Sequence, residues 1–427
     1  MHLISKLEVD GFWDTHKVSV SLRPDVTIFI GVNGSGKTTL INMLAAALMA
    51  DFPTLSKLPF RKITITLASV DGGAGPTVIV SKSQKKDRSI EFIEYRIRRA
   101  GGGAEERYSL DEREEVLWAR RSAVNPRHAQ DYYRNFAPGV GSALQELVKV
   151  DWLSVHRTPA PDRFRDDRSN YESAVDSRLG AISYDLLKYF ASLSGQKDEE
   201  MRKFQEFIFI SLLEQPADVD FFGPAAVRGV VDHRKSMGEI FRELRVVRQD
   251  IPELIASFFK RAEKLAARKP NDGFRIDDLS VLIGARKIDA VVKQWQRLQA
   301  EIDRVFEHRT AFVETINGLL QRKQIDISGS NELGFITRSG KRLTPQMLSS
   351  GEKQLLILLS ETLLQMQMPA IFIADEPELS LHVTWQEKLI PSLRRLNPRS
   401  QFIAATHSPD IVGPLASHAI DMETLIP

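Results

Sequence analysis

The sequence contains no cysteine, and this absence excludes several kinds of chemistry at once. Disulfide bonds, zinc sites with cysteine ligands and a cysteine nucleophile all require a side chain that this chain lacks. A cysteine-free chain fits a reducing cytosol, where stability rests on packing rather than on covalent cross-links. Any other compartment tolerates such a composition as well, so the absence alone assigns none.

Long apolar runs and an excess of one charge are also missing. No stretch approaches the roughly 18 consecutive apolar residues of a membrane helix. The opening residues MHLISKLEVDGFW lack the basic start and apolar core of a secretory signal. The 58 basic and 56 acidic side chains leave a net charge of +2, so no general attraction to nucleic acid is predicted. We therefore expect a cytoplasmic protein with no membrane partner.

Two local basic clusters stand out against this neutral background. Acidic residues are interspersed in both, so an ordinary solvated surface is the alternative to contact with a phosphate backbone. The clusters consist of Lys260, Arg261, Lys264, Arg268 and Lys269, and of Lys82, Lys85, Lys86 and Arg88.

The chain of 427 residues divides by pattern into three segments. Residues 1–180 and 322–427 alternate strand-like and helical stretches, which predicts an α/β fold. Residues 181–321 are mainly helical. Apolar residues at 3-4 spacing from Ile288 to Leu319 predict a long helix with a coiled-coil seam. Asp250 followed by Pro252 predicts that the helix before it breaks there. An antiparallel hairpin packed on itself and an intermolecular coiled coil both explain the seam.

The segment GVNGSGKT, residues 31–38, fits the pattern of a phosphate-binding loop. An apolar strand precedes it and a helix follows it, so backbone amides and the positive helix end can face phosphate oxygens. Lys37 is expected to meet the β- and γ-phosphates, and the Thr38 hydroxyl to bind Mg²⁺. The residues predicted to bind the nucleotide here are Gly31, Asn33, Gly34, Ser35, Gly36, Lys37, Thr38 and Thr39.

The segment IFIADEPE, residues 371–378, is an apolar strand that ends in carboxylates. Open α/β sheets present their ligand-binding residues at such strand ends. Asp375 is expected to hold the Mg²⁺, and Glu376 to orient or deprotonate an attacking water. A solvated acidic turn is the simpler alternative for this segment taken alone.

A serine-rich turn, LSSGEKQ at residues 348–354, opens a later helix. Ser349, Gly351 and Glu352 are the predicted contacts of a second anion site, made by free helix amides and a hydroxyl. A plain helix cap is the simpler alternative for the serine. The turn THS, which contains His407, follows the acidic strand.

Together these motifs resemble those of the ABC-type ATPases on the SMC/RecF/OLD branch, which write their signature as LSxGE and extend the acidic motif as DEPExxLH. The resemblance covers the segments outside the helical insert. It implies a P-loop ABC-type ATPase head with a mainly helical insert between phosphate loop and signature. It also implies that two heads enclose ATP and Mg²⁺, with Ser349 of one facing Lys37 of the other. By the same resemblance His407 senses the γ-phosphate, and residues 379–382 cross the dimer interface.

One element of this family pattern has no clear counterpart, the glutamine expected between phosphate loop and signature. Gln145, His156 and Arg157 are the candidates. Val383 also stands where this branch often has proline.

A head with a short insert resembles the ATPase subunits of bacterial anti-phage systems, of the PARIS type and, as second choice, the Septu type. OLD-type nucleases continue beyond the THS turn into a nuclease domain, whereas 20 residues follow His407 here. The expected function is therefore an ATP-hydrolysing homo-oligomeric sensor or scaffold in anti-phage defence. It is expected to control a separately encoded effector, a nuclease, with DNA or a phage protein as the trigger. A DNA-repair ATPase of the RecF or SMC kind is the alternative.

Overall fold

The computed structural model describes residues 1–84, 91–101, 105–108, 138–154, 174–213, 225–246, 248–268, 275–379 and 381–426. The chain divides into two compact units. One comprises Met1–Leu187 with His308–Pro427, and the other comprises Lys188–Glu307. The boundaries expected from the sequence at residues 181 and 321 stay a prediction of functional domains. Among the described helices, none combines the length and the apolar character needed to cross a membrane.

All of the described strands lie in the first unit. Its strands are β1 (His2–Phe12), β2 (His16–Ser21), β3 (Val26–Ile30), β4 (Lys62–Ser69), β5 (Ala74–Gln84), β6 (Glu91–Arg98), β7 (Glu105–Tyr108), β8 (Val150–Ser154), β9 (Lys323–Ile327), β10 (Leu333–Thr337), β11 (Arg342–Leu343), β12 (Ile371–Asp375), β13 (Gln401–Ala405) and β14 (Ala419–Asp421). Its helices are α1 (Lys37–Leu48), α2 (Phe52–Lys57), α3 (Pro138–Leu147), α9 (Ser350–Leu364), α10 (Val383–Leu396) and α11 (Pro409–Val412). Two long helices, α4 (Ala174–Leu213) and α8 (Ile276–Leu319), contribute residues to both units.

A parallel sheet positions the predicted site. Within the described residues its order is β14-β3-β13-β12-β8. The strands β3, β12 and β13 are apolar and almost wholly buried, as expected for parallel strands covered on both faces. Because all five strands run in one direction, the segments that follow β3, β12 and β13 meet at one edge, here called the carboxyl edge.

An antiparallel sheet covers the other side of α1. Its order among the described strands is β2-β1-β4-β5-β6-β7. Strand β4 alternates buried apolar and partly exposed polar residues, which is the pattern of a sheet with one face on the core. Apolar residues of this sheet, of α1 and of the parallel sheet form one continuous core. The buried Tyr95 hydroxyl donates to the Ala47 carbonyl at 3.0 Å and so ties β6 to α1. The small sheet β11-β10-β9 completes the unit, and the predicted α/β fold with a helical insert is confirmed.

The second unit is helical throughout its described part. Besides residues of α4 and α8 it holds α5 (Ala225–Val231), α6 (Arg234–Glu243) and α7 (Ile251–Ala266). The predicted break is confirmed, because α7 begins after the cap residue Asp250 with Pro252 in its first turn. The apolar residues of α7 are not all buried. Leu254 is 53% exposed, whereas Phe259 is buried.

The heptad seam of α8 packs within this chain over part of its length. Trp295 and Leu298 of the seam are buried, as is Val292 beside it, and they form a cluster with Phe204 of α4 and Ile240 of α6. The rings of Phe204 and Trp295 lie 5.5 Å apart, centroid to centroid. This packing favours helices that pack against their own chain over an intermolecular coiled coil.

Replacing Phe204 by Ala is expected to destabilise the second unit by about 3–5 kcal/mol, because a buried ring is removed and a cavity is left. Phe209 lies on the same helix but is 70% exposed, so Phe209→Ala is the matched control and should change the free energy of unfolding by less than about 0.5 kcal/mol. Urea unfolding followed by circular dichroism measures both variants. Equal effects of the two substitutions would contradict the packing described for Phe204.

Candidate functional site

The predicted phosphate-binding loop, residues 31–38, connects β3 to α1 at the carboxyl edge. Gly36 has a φ of +90°, and a Cβ at this position would lie 2.8 Å from the Phe12 ring. Glycine is therefore required at residue 36 by conformation and by space. Asn33 and Gly34 are exposed at the loop, Ser35 and Thr39 are half-buried. The predicted loop residues thus stand together between one strand and the positive end of one helix.

Lys37 lies inside this loop. Its side chain is 5% exposed, and its Nζ donates to the carbonyls of Gly31 at 2.9 Å and Val32 at 3.0 Å. Burial lowers the pKa of the Lys37 ammonium, while the carboxylates of Glu376, Asp375 and Asp421 act in the opposite direction. The lysine is thus held where the loop and the acidic residues meet. The sequence alone does not reveal Asp421, which is the last residue of the short strand β14, where the sequence has no distinct pattern.

The structure brings together two side-chain oxygens, from residues that are 337 positions apart in the sequence. The Thr38 hydroxyl donates to Asp375 Oδ1 at 3.0 Å. Neighbouring strands explain the contact, because β3 and β12 both pair with β13 and end at the same edge. A hydroxyl and one carboxylate fit Mg²⁺, which binds few protein oxygens and keeps places for water and phosphate.

Glu376 follows Asp375 in an unusual backbone conformation. Its φ of +48° lies in the left-handed region, which costs a residue with a side chain about 1–2 kcal/mol. Its N–H donates to the Ala405 carbonyl at 2.8 Å, and its own carbonyl accepts from Leu379 N–H at 3.1 Å. These bonds hold a tight turn directly after β12. Strain of this kind is concentrated at functional sites.

A second turn, residues 406–408, lies beside the acidic one. Thr406 N–H donates to the Phe29 carbonyl at 3.2 Å, which joins this turn to the strand that leads into the phosphate loop. Thr406 and Ser408 are buried, and the His407 side chain between them is exposed. Glu378, which sequence reasoning did not single out, accepts hydrogen bonds from all three residues of the turn. The only signal for it is the second glutamate of the DEPE motif.

The predicted signature begins α9 with a complete capping box. Glu352 Oε2 accepts the Ser349 hydroxyl at 2.8 Å and the Ser349 N–H at 2.9 Å. Lys323 Nζ lies 2.7 Å from the same carboxylate oxygen. Burial tends to raise the pKa of Glu352, but the bonds from Lys323 and Ser349 hold the pKa of this carboxyl below its usual value. The cap reading is thus confirmed. Ser349 is exposed, and Gly351 is buried in the first helical turn.

The remaining sequence candidates fall into different places. Gln145 lies on α3, which precedes β8, and so it is at the end of that strand opposite to the carboxyl edge. A five-residue strand separates the two ends by about 16 Å, so we do not propose Gln145 for a phosphate contact. His156 and Arg157 lie outside the described residues. So do Ser380 in the predicted interface loop, Lys85, Lys86 and Arg88 in one basic cluster, and Lys269 in the other.

Comparison with known proteins identifies a family for this chain. Residues 26–413 match the family described as "AAA domain, putative AbiEii toxin, Type IV TA system". The Retron Ec83 probable ATPase of Escherichia coli is 31% identical over 117 residues, which are 25% of this chain and 19% of that protein. The Retron Vc95 probable ATPase of Vibrio cholerae serotype O1 biovar El Tor is 30% identical over 109 residues, 23% of this chain and 21% of that protein. The chain therefore spans about a fifth of the length of these curated relatives.

The chain is also similar to a solved Smc head domain with an extended coiled coil from Pyrococcus furiosus. The TM-score is 0.40 and the identity 13%, with 99% of this chain and 93% of that chain covered. A similarity at this level does not define the fold. The fold is defined by the strand order described above. The family match, in contrast, includes the phosphate loop, the acidic strand end and the 406–408 turn. The chain therefore belongs to this AAA-domain family of nucleotide-binding P-loop ATPases.

Proposed function

We propose that this chain binds ATP with Mg²⁺ and hydrolyses it at a site shared between two copies of itself. The observation that supports this best is the contact of Thr38 with Asp375 beside the strained Glu376. This contact brings the phosphate-binding loop next to a pair of oxygen ligands for Mg²⁺ and next to Glu376, a carboxylate suited to activating water. Bound Mg²⁺ would neutralise phosphate charge.

Most of the predicted residues then have a role in the proposed reaction. The amides of residues 31–36 and the Lys37 ammonium bind the β- and γ-phosphates, and Thr38 and Asp375 hold the metal. Glu376 orients the attacking water and accepts its proton. His407 contacts the γ-phosphate. Ser349, at the start of α9, completes the site of the second copy with its hydroxyl and the helix amides.

We further propose that the ATPase works in bacterial antiviral defence and controls a separately encoded effector. The proposed class of effector is a nuclease. Two facts support this. The description of the matching family mentions an AbiEii toxin. The names of the aligned relatives describe them as retron ATPases. Within defence systems, the PARIS type and then the Septu type are the proposed kinds, because their ATPases resemble this head in motif style. The trigger is proposed to be DNA or a phage protein, and the site of action the cytoplasm.

Phage infection tests this proposal directly. Bacteria that carry the gene with its neighbouring genes should form fewer plaques than bacteria with an empty vector, and Lys37→Ala should abolish the protection. Lys388→Ala, at an exposed lysine of α10, is the control and should protect like wild type. Full protection by the Lys37→Ala gene would contradict the proposal that ATP drives the response. Sensitivity to DNA damage without any effect on plaques would favour the DNA-repair alternative.

A further inference from the structure

Glu378 is a buried carboxylate that the proposed chemistry does not use. Its side chain is 9% exposed, and among the described residues no lysine, arginine or histidine forms an ion pair with it. Its Oε2 has no hydrogen-bond partner within the same residues. Burying a charge in this way is costly unless hydrogen bonds compensate for it. The compensation must therefore come from Oε1.

Three donors meet at Glu378 Oε1, and they come from three consecutive residues. The Thr406 hydroxyl donates to it, as do the N–H groups of His407 at 3.0 Å and Ser408 at 3.2 Å. Hydrogen bonds to an ionised acceptor are shorter and stronger than neutral ones. A single side chain thus holds the 406–408 turn through one hydroxyl and two backbone N–H groups.

A second bond joins the same two turns close by. Glu376 N–H donates to the Ala405 carbonyl at 2.8 Å, one residue before the turn that Glu378 holds. The acidic turn and the 406–408 turn are therefore connected at two points, one through the backbone and one through Glu378. The backbone bond fixes where the second turn starts, and Glu378 fixes how residue 407 is presented from it.

We propose that Glu378 is a positioning residue that sets the place of His407 relative to Glu376 and the γ-phosphate. This inference rests on the proposed ATP hydrolysis, because the position of His407 matters only if His407 contacts the γ-phosphate in that reaction. Glu378 acts through His407 and touches neither the phosphate loop nor the Thr38–Asp375 pair in the contacts described. Its loss should therefore spare nucleotide binding and impair the chemical step.

Steady-state ATPase kinetics of Glu378→Gln test this. The amide keeps the size of the side chain but removes the charge that strengthens the three bonds. We expect kcat to fall about 10–100-fold, the scale on which a slightly misplaced group impairs catalysis, while KM for ATP stays close to wild type. Glu378→Asp keeps the charge but shortens the reach, so it should lose activity as well. Glu387→Gln, at an exposed glutamate on α10, is the matched control and should keep full activity.

A double-mutant cycle with His407→Ala separates positioning from a merely structural role. If Glu378 acts through His407, adding Glu378→Gln to His407→Ala should cause no further loss of kcat. An equal loss in both backgrounds would overturn the inference, and so would normal kcat in the Glu378→Gln chain. Failure of the proposed function looks different, since the wild-type chain itself would then hydrolyse no ATP.

Discussion

Replacing Glu376 by Gln should slow ATP hydrolysis by about 10²–10⁴-fold, the usual contribution of a positioned general base. Glutamine has nearly the same shape and meets the same demand for a φ of +48° at this position, so the turn after β12 should persist. The amide cannot accept a proton from water. ATP binding should remain near wild type, because Lys37, Thr38 and Asp375 are unchanged.

Two measurements on the Glu376→Gln chain check this expectation. Phosphate release gives the rate of hydrolysis, and equilibrium titration with a fluorescent ATP analogue gives the affinity. The control is Glu387→Gln, which removes a carboxylate on exposed surface of α10. Hydrolysis at the wild-type rate by Glu376→Gln would assign the base elsewhere. Loss of binding together with activity would show that Glu376 supports the nucleotide pocket instead.

Two inactive chains, Ser349→Arg and Lys37→Ala, should regain about a quarter of the wild-type ATPase activity when mixed in equal amounts, as a symmetric dimer with shared sites requires. Random exchange makes half of the dimers mixed. In each mixed dimer both defects fall on one site, and the other site keeps an intact Lys37 and an intact Ser349. Neither chain alone can form such a site.

The structure shows why Ser349 is a suitable position for this test. The residue is exposed at the start of α9, so a long side chain fits there without disturbing the core. Its hydroxyl donates to Glu352 within the chain, and losing that cap costs about 1 kcal/mol. Ser349→Ala loses the same cap without adding bulk. Loss of activity by Ser349→Arg that far exceeds the loss by Ser349→Ala would therefore come from the occupied interface.

Subunit exchange must be demonstrated for the mixture, for example by native mass spectrometry of chains with different tags. A mixture that exchanges and stays inactive would contradict sites that are shared and work independently. Normal hydrolysis by the Ser349→Arg chain on its own would contradict the shared site outright.

The parts of the fold that the sequence predicts are those governed by local chemistry. Gly36 and Lys37 follow an apolar strand, and Asp375 ends another. The loop, the strand end and the helix are therefore all recognisable from neighbours in the sequence. The capping box of Ser349 and Glu352 belongs to the same class. The break between α6 and α7 is equally local, because the cap residue Asp250 and Pro252 determine it.

Contacts that depend on pairing between strands far apart in the chain cannot be predicted from this sequence. The contact of Thr38 with Asp375 requires that β13 lies between β3 and β12, and no periodicity encodes that order. Gln145 is a candidate by its position in the chain, yet the direction of β8 places it at the end of the sheet opposite to the carboxyl edge. Glu378 was missed because its partners, residues 406–408, come from another strand end.

The strand order also governs how this protein is made on the ribosome. Strand β3, which carries the phosphate loop, has β13 and β14 as its two neighbours, and both lie beyond residue 400. At about 5–20 residues per second, β3 waits roughly 20–75 s after its own synthesis before a neighbour can pair with it. Throughout that interval an apolar strand has two open edges, which are templates for aggregation. Premature termination before residue 401 would make this state permanent, so truncated chains should depend on chaperones or be degraded.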